Sequence, residues 1–394
     1  MKEDRLLNPD ICHVVAALCH TQYLVIADPG LPIPENVRVI DISIKKGIPS
    51  FIDVLTAVKE EFVIESYIYA LEMEAANRCL FDEMNDLLKE LPSKKISHND
   101  FKGLLPNASA IIRTGECILC LLAVSICGTD VHITAVPPGY IAKPNTVLGH
   151  EFVGEVIKKG SAVSHLEIGD RVVVNPNDYC GVCVYCRKNM PNECQNIIPL
   201  GIEYDGAFAK YCMVSSKVAY KISKDVPIEI AACTEPLACA INGLNKVNMK
   251  PGENAVIIGC GPIGIMIAMF AKASGISNIY LLETIPYRID FTRSLDIGRV
   301  IDVKNESAKD IIYADTEIGT DYVFDVTGSQ IIPSIDLVRK GGKVVLFGVN
   351  KKSVSQIAQC EVTTKEISVL GTWLANATFP EAIKVLEKKA ILYK

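Results

Sequence analysis

The chain has 394 residues, enough for two or three domains, and roughly half of them are hydrophobic, so real cores can form. Its formal net charge is −6, and no Lys/Arg block interrupts it, which argues against a polyphosphate partner such as nucleic acid. Fifteen cysteines in a chain whose first residues, Met1-Lys-Glu-Asp-Arg, lack the basic-then-apolar pattern of a secretory leader point to metal ligands rather than disulfides.

In chain order, Leu24-Val-Ile-Ala reads as a strand that ends at the turn signal Asp28-Pro-Gly. Val37-Arg-Val-Ile reads as a second strand. Phe51 to Phe62 has helical spacing, Val63 to Tyr69 looks like a strand, and Ala75 to Leu91 reads as an amphipathic helix stopped by Pro92. From Val147 to about Lys221 the pattern turns β-rich, with many Gly and Pro turns. From Gly252 onward strands and helices alternate again: Asn254–Ile258, a helix from Pro262, Asn278–Leu282, Tyr322–Val326 and Lys343–Phe347. That alternation predicts a parallel sheet with covering helices. The apolar stretches are too short for a membrane span or carry Gly and Pro, so a cytoplasmic protein without a membrane partner is expected.

Cys180, Cys183, Cys186 and Cys194 have the spacing C-x2-C-x2-C-x7-C. Four thiolates this close can wrap a tetrahedral zinc, and the polar lobe around them has little apolar content to fold it otherwise. The Cys–Pro ending and the short last spacing of a bacterial iron–sulfur run are absent. A second donor set is dispersed: Cys127 in Cys127-Gly-Thr-Asp-Val-His132, His150 and Glu151 in Gly149-His-Glu, and Glu235 in Thr234-Glu-Pro-Leu. Thiolate, imidazole and carboxylate are the three ligand types of a catalytic zinc with one open position. Spacing alone leaves core packing as the rival explanation for each.

Ala255-Val-Ile-Ile-Gly259-Cys-Gly261-Pro-Ile-Gly264 runs a strand into G-x-G-x-x-G and then a helix. The glycines allow a tight turn and close backbone approach to a pyrophosphate on the helix N-terminus. Glu283 ends the next strand, about 20 residues on, where a carboxylate bonds ribose hydroxyls. It would repel a 2′-phosphate, so NAD is favoured over NADP; Arg288 nearby works against that preference.

In this order these features resemble the zinc-dependent medium-chain dehydrogenases over residues 119 to 392. The supporting text includes Ala123-Val-Ser-Ile-Cys-Gly-Thr-Asp, Gly149-His-Glu-Phe-Val-Gly-Glu-Val, Gly169-Asp-Arg-Val, Asp205-Gly-Ala-Phe-Ala and Gly342-Lys-Val-Val. The resemblance implies one catalytic and one structural zinc, and alcohol oxidation with hydride transfer to the nicotinamide. Glu235-Pro-Leu-Ala looks like the polyol branch, which places this glutamate near the metal. Thr129 and His132 match a pair that orients or relays a proton in the threonine-dehydrogenase-like branch. A homo-oligomer acting on a small sugar or polyol is implied.

The first 117 residues resemble the D-ribose pyranase/fucose mutarotase family, through His20-Thr-Gln, Asp28-Pro-Gly-Leu-Pro-Ile-Pro, Gly47-Ile-Pro-Ser-Phe and Arg113-Thr-Gly-Glu-Cys117. Opening a pyranose ring needs proton transfer at two oxygens, work suited to a group titrating near neutral pH. The resemblance gives that role to His20 and sugar binding to Asp28 and His98. The pyranase pattern stops after Cys117, and the dehydrogenase pattern enters without its opening strands and ends before its usual return to the catalytic domain.

The expected fold class is therefore α/β: a pyranase-like α/β domain at 1–117, a β-rich GroES-like zinc domain at 118–232, and a Rossmann doubly wound parallel sheet at 233–394. The leading expectation is an NAD-linked, zinc-dependent polyol dehydrogenase fused to a sugar ring-opening domain. Its rivals are ring opening alone, a threonine-dehydrogenase-like enzyme, and a trimmed fusion that binds zinc and NAD without turnover.

Overall fold

The computed structural model describes residues 8–18, 22–27, 31, 33–34, 36–42, 51–76, 78–113, 116–159 and 163–389. Two units emerge. One comprises residues 1–134, 140–178 and 198–221, the other 135–139, 179–197 and 222–394.

The first unit opens with a three-stranded parallel sheet, Tyr23–Ala27, Ala108–Arg113 and Val39–Asp41, with Ala108–Arg113 in the middle. Ala110, Ile111 and Ile112 are fully buried, as a central parallel strand covered on both faces must be. Ala110 and Ile112 pack with Ile11, Val14, Val54 and Val58 from helices Pro9–Ala17 and Phe51–Glu61. Ile111 faces the other way, onto Val25, Val37 and Leu105.

Two expected elements differ. The strand expected over Val63 to Tyr69 is confined to Tyr67–Ala70, where it pairs in parallel with Ser93–Ile96, a strand too polar to stand out in the sequence. Val63 is 83% exposed and has no sheet face to fill. The helix expected over Ala75 to Leu91 starts earlier and ends sooner: its described residues are helical over Leu71–Ala76 and Arg78–Leu88.

The β-rich part of this unit is a five-stranded antiparallel sheet in the order Tyr211–Ser215, Glu116–Ser125, Glu151–Lys159, Arg171–Val174, Ala219–Lys221. Strand Glu116–Ser125 crosses the expected boundary at 117/118 unbroken. Glu116 and Cys117 pair with Ser215 and Val214 in the same ladder that continues to Cys120.

The second unit is built on a six-stranded parallel sheet in the order Arg299–Asp302, Asn278–Glu283, Asn254–Ile258, Thr320–Asp325, Val338–Leu346, Ser368–Gly371. In chain order this is 3-2-1-4-5-6, the doubly wound arrangement with its crevice where the order reverses. Ala255 and Ile257 point into one core layer with helix Pro262–Ala273, and Val256 into the other. Truncating fully buried Ile257 to Ala would cost about 2–5 kcal/mol. The two outer strands, Arg299–Asp302 and Ser368–Gly371, were not expected. Both are only four residues long, the first with a single buried residue, Ile301, and the second mostly exposed, so neither has the apolar run that marks the inner four.

Candidate functional site

The dispersed donors converge because of strand pairing. Ser125, at the end of its strand, lies opposite Glu151, at the start of the next. Cys127 follows Ser125 by two residues, and His150 directly precedes Glu151. Their ligand atoms all lie within 4.8 Å of one another. Donors about 2.0–2.3 Å from one ion lie at most about 4.6 Å apart, so the set fits a metal with shifts of a few tenths of an ångström. His150 and Glu151 are buried, and Ser125 Oγ donates to Glu151 Oε2.

A glycine-dependent clasp holds the backbone ahead of His150. Gly206, Ala207 and Phe208 N–H groups donate to the carbonyls of Val147, Gly149 and Leu148 at 2.7–2.9 Å. Asp205 Oδ1 accepts from Val147 N–H at 2.8 Å. A Cβ on Gly206 would stand 2.2 Å from the Gly149 carbonyl oxygen, so only glycine allows this approach. That is a physical reason for the Asp205-Gly-Ala sequence.

Asp130, which the sequence did not single out, supports the donor set. It is 4% exposed, its Oδ2 accepts from Cys127 N–H at 2.8 Å, and its Oδ1 lies 3.5 Å from His150 Nδ1. Burial pushes its carboxyl up, but the neighbouring His150 ring and the Cys127 and Gly149 N–H groups outweigh it, and the net direction is down. A carboxylate on the far nitrogen of a ligating histidine fixes the ring and its tautomer. Its position inside Cys127-Gly-Thr-Asp was the available signal. Thr129 and His132 sit three residues apart on helix Gly128–Thr134, on one face of it; His132 is exposed and Thr129 half-buried. Glu235 belongs to the second unit, on the wholly buried helix Thr234–Leu244, where Cys239 Sγ donates to its Oε1 at 3.3 Å.

The four-cysteine lobe is assembled. Sγ separations are 3.5 Å for Cys180–Cys194, 3.6 Å for Cys183–Cys186, 3.9 Å for Cys183–Cys194 and 4.0 Å for Cys180–Cys186. A tetrahedron with bonds of about 2.3 Å has edges of about 3.8 Å, so the four sulfurs already outline a zinc site. Backbone N–H groups of Cys180, Cys183 and Asn196 point at the sulfurs. N–H groups of Cys186 and Gln195 hold the Cys183 thiol down at about 6, while burial pushes Cys186 up to about 12. A bound metal would hold all four as thiolates. Asn192 Nδ2 anchors the lobe by donating to the Trp373 carbonyl at 3.0 Å.

The glycine-rich turn has three distinct positions. Gly259 has φ +106°, and a Cβ there would meet Thr327 Cγ2 at 2.9 Å. A Cβ on Gly264 would stand 2.0 Å from the Gly259 carbonyl oxygen, whereas one on Gly261 would meet nothing within 4 Å. The turn is thus closed behind and open in front, as a cradle for a pyrophosphate requires. Glu283 is 6% exposed at the end of its strand. It accepts from Cys260, Thr284 and Ile285 N–H groups at 2.7–3.1 Å, and Arg288 stands 3.8 Å away. Burial raises its carboxyl, but these donors and the guanidinium bring it below the ordinary value.

Of the residues expected to act in ring opening, His20 and Asp28 lie outside the described residues. His98 is exposed at the start of helix His98–Leu104, and its backbone N–H donates to both carboxylate oxygens of Glu72 at 2.9 and 3.1 Å.

Two zinc-shaped donor sets and a dinucleotide turn on one chain define a zinc- and nicotinamide-dependent oxidoreductase. Family profiles agree: "Alcohol dehydrogenase GroES-like domain" matches residues 113–224, "Zinc-binding dehydrogenase" 262–388, and "RbsD / FucU transport protein family" 1–120. The chain is 34% identical to an L-threonine 3-dehydrogenase of Caldanaerobacter subterraneus, over 65% of this chain and 75% of that one. It is 30% identical to D-arabinitol dehydrogenase 1 of Uromyces fabae, over 71% and 82%. A crystal structure of a zinc-binding dehydrogenase from Sinorhizobium meliloti bound to NADP superposes with TM-score 0.66 at 28% identity, covering 71% of this chain and 82% of that one. The chain belongs to the zinc-dependent medium-chain alcohol dehydrogenases, and it carries an RbsD/FucU segment fused ahead of them. Among the described residues no helix is long and apolar enough to cross a membrane.

Proposed function

We propose that the dehydrogenase part oxidises a secondary alcohol of a polyol or sugar alcohol with NAD, and that residues 1–117 open the ring of the related sugar. The convergence of Cys127, His150 and Glu151 beside buried Asp130 carries the first half of this reading. These three would hold the catalytic metal, and Cys180, Cys183, Cys186 and Cys194 the structural one. When bound, zinc supplies Lewis acidity toward the substrate hydroxyl, and NAD supplies the hydride acceptor. The chain's own work is to fix that geometry and move the proton. Asp130 orients His150, and Thr129 passes the hydroxyl proton toward exposed His132 and water. Glu283 at the strand end favours a free ribose, hence NAD, although Arg288 and the NADP-bound relative weigh on the other side.

The polyol assignment rests on Glu235-Pro-Leu-Ala and on the D-arabinitol dehydrogenase relative. The L-threonine 3-dehydrogenase relative favours the second reading, an amino-alcohol substrate. NAD reduction measured with ribitol, sorbitol, arabinitol, threonine and butanediol at saturating zinc separates them; turnover confined to threonine rejects the polyol reading. For the N-terminal half, saturation-transfer NMR on ribose is expected to show faster anomer exchange, lost in His20→Ala. No enhancement, or one unchanged by that substitution, rejects the ring-opening role. We extend the reading to a cytoplasmic homo-oligomer whose partners are small molecules, in keeping with the net charge of −6.

A further inference from the structure

The inner strands Asn254–Ile258 and Thr320–Asp325 flank the point where the order of the parallel sheet reverses, and Ile258 pairs with Asp325. One wall of the crevice is the glycine-rich turn from Gly259. The other is the turn that follows Asp325. Val326 and Thr327 press on the first: their Cγ2 atoms lie 3.0 and 2.9 Å from where a Gly259 Cβ would be. From behind, Gly348 packs so closely that a Cβ on it would meet Gly328 N at 2.2 Å. The turn is wedged between two backbones.

Asp325 is 2% exposed, yet its carboxylate serves this turn. Oδ1 accepts from Thr327 N–H at 2.9 Å, Thr327 Oγ1–H at 2.7 Å and Gly328 N–H at 3.0 Å. Oδ2 accepts from Gln330 N–H at 2.8 Å. Burying a carboxylate is costly unless its hydrogen bonds are made. Here all four donors come from within five residues of one exposed-side turn, so the charge is spent on shaping that turn rather than on joining distant parts of the core.

We propose that Asp325 is a positioning residue for the dinucleotide: it fixes the second wall of the cofactor crevice by organising the 326–330 turn against the glycine-rich turn. The proposal rests on reading Gly259 to Gly264 as the cofactor turn. Asp325→Asn tests it, because its NH2 group must face donors on one side or the other, and at least one N–H loses its acceptor. Thr327→Val is the milder variant; it removes the hydroxyl bond alone.

The readout is the NADH dissociation constant of the zinc-loaded protein, followed by NADH fluorescence, with zinc content and circular dichroism measured alongside. Expected are a rise of about tenfold or more in Asp325→Asn and about threefold or more in Thr327→Val, with zinc content unchanged. A folded Asp325→Asn whose NADH affinity stays within twofold of wild type overturns the proposal and leaves Asp325 a purely structural cap. If Asp325→Asn does not fold, Thr327→Val decides, and an unchanged affinity there overturns the proposal equally. Wild type that binds no NADH would instead overturn the cofactor-turn reading and this inference with it.

Discussion

The two glycines at 261 and 264 should fail in opposite ways when each is changed to alanine. A Cβ on Gly264 falls 2.0 Å from the Gly259 carbonyl oxygen and 3.2 Å from Ile257 Cγ2. An ordinary contact is about 3.4–3.5 Å, so the helix start must retreat by roughly 1.4 Å, against backbone that cannot rotate away. Overpacking of this kind costs about 1–3 kcal/mol, and a clash with main chain belongs at the upper end. For a unit of this size each kcal/mol moves the melting temperature by about 2–4 °C, so a drop of roughly 6–12 °C is expected. Gly261→Ala meets nothing within 4 Å, and its backbone at φ −78°, ψ −179° is extended, open to any residue. It should melt like wild type but raise the NADH dissociation constant about tenfold or more, because its methyl enters the space left for the pyrophosphate. Differential scanning calorimetry and NADH fluorescence titration read the two effects separately. A Gly264→Ala protein with wild-type melting would refute the close helix approach. A Gly261→Ala protein with wild-type affinity would refute the placement of the phosphates.

Three further outcomes are expected. Cys183→Ser should lose one zinc equivalent per chain and lower the melting temperature, while Cys127→Ser loses a different equivalent; elemental analysis of both and of the double variant should show additive losses. Asp130→Asn weakens the support of His150, and chelator competition should show zinc held about 10–100-fold less tightly at that site, with the cysteine lobe unaffected. Glu283 has a folded pKa below the ordinary 4.5, so its bonds add stability at pH above about 4.5 and lose that contribution as pH falls through the lower folded value. The melting gap between wild type and Glu283→Gln should be wide at pH 7 and narrow progressively as pH falls below about 4.5; a gap constant with pH contradicts the charge-based account.

What the sequence made legible was local. The cysteine lobe and the glycine turn are closed by residues within one short segment, so spacing alone carries their geometry, and Glu283 follows from the length of one helix and one strand. Cys127, His150 and Glu151 are different. Their convergence depends on Ser125 pairing with Glu151, a contact between strands that no spacing encodes, and it took the family resemblance to raise them above core packing. Asp130 and Asp325 were missed for a related reason. Each is an acidic residue whose meaning lies in which N–H groups surround it once buried. The edge strands Arg299–Asp302 and Ser368–Gly371 were missed because four-residue strands with at most one buried position have neither an apolar run nor a clean alternation.

Strand Glu116–Ser125 shows how two ancestries can share one physical element. Its first residues belong to the text that resembles the pyranase family, and its last deliver Cys127 to the metal-ligand set. Both flanks fix its register: Cys117 pairs with Val214 on one side and with Lys159 on the other, and Ser125 with Glu151. Fully buried Leu119 lies one residue past the point where the two resemblances meet. Side chains alternate along a strand, so a slip of one residue would turn Leu119 outward and take Ser125 away from Glu151. Two bulges, between Ile118 and Leu119 and between Leu121 and Ala123, adjust the pairing on the Glu151–Lys159 side before the ligands are reached. The strand therefore runs through the junction as one ladder, while the register that brings Ser125 opposite Glu151 is set beyond both shifts, by the residues from Ala123 onward.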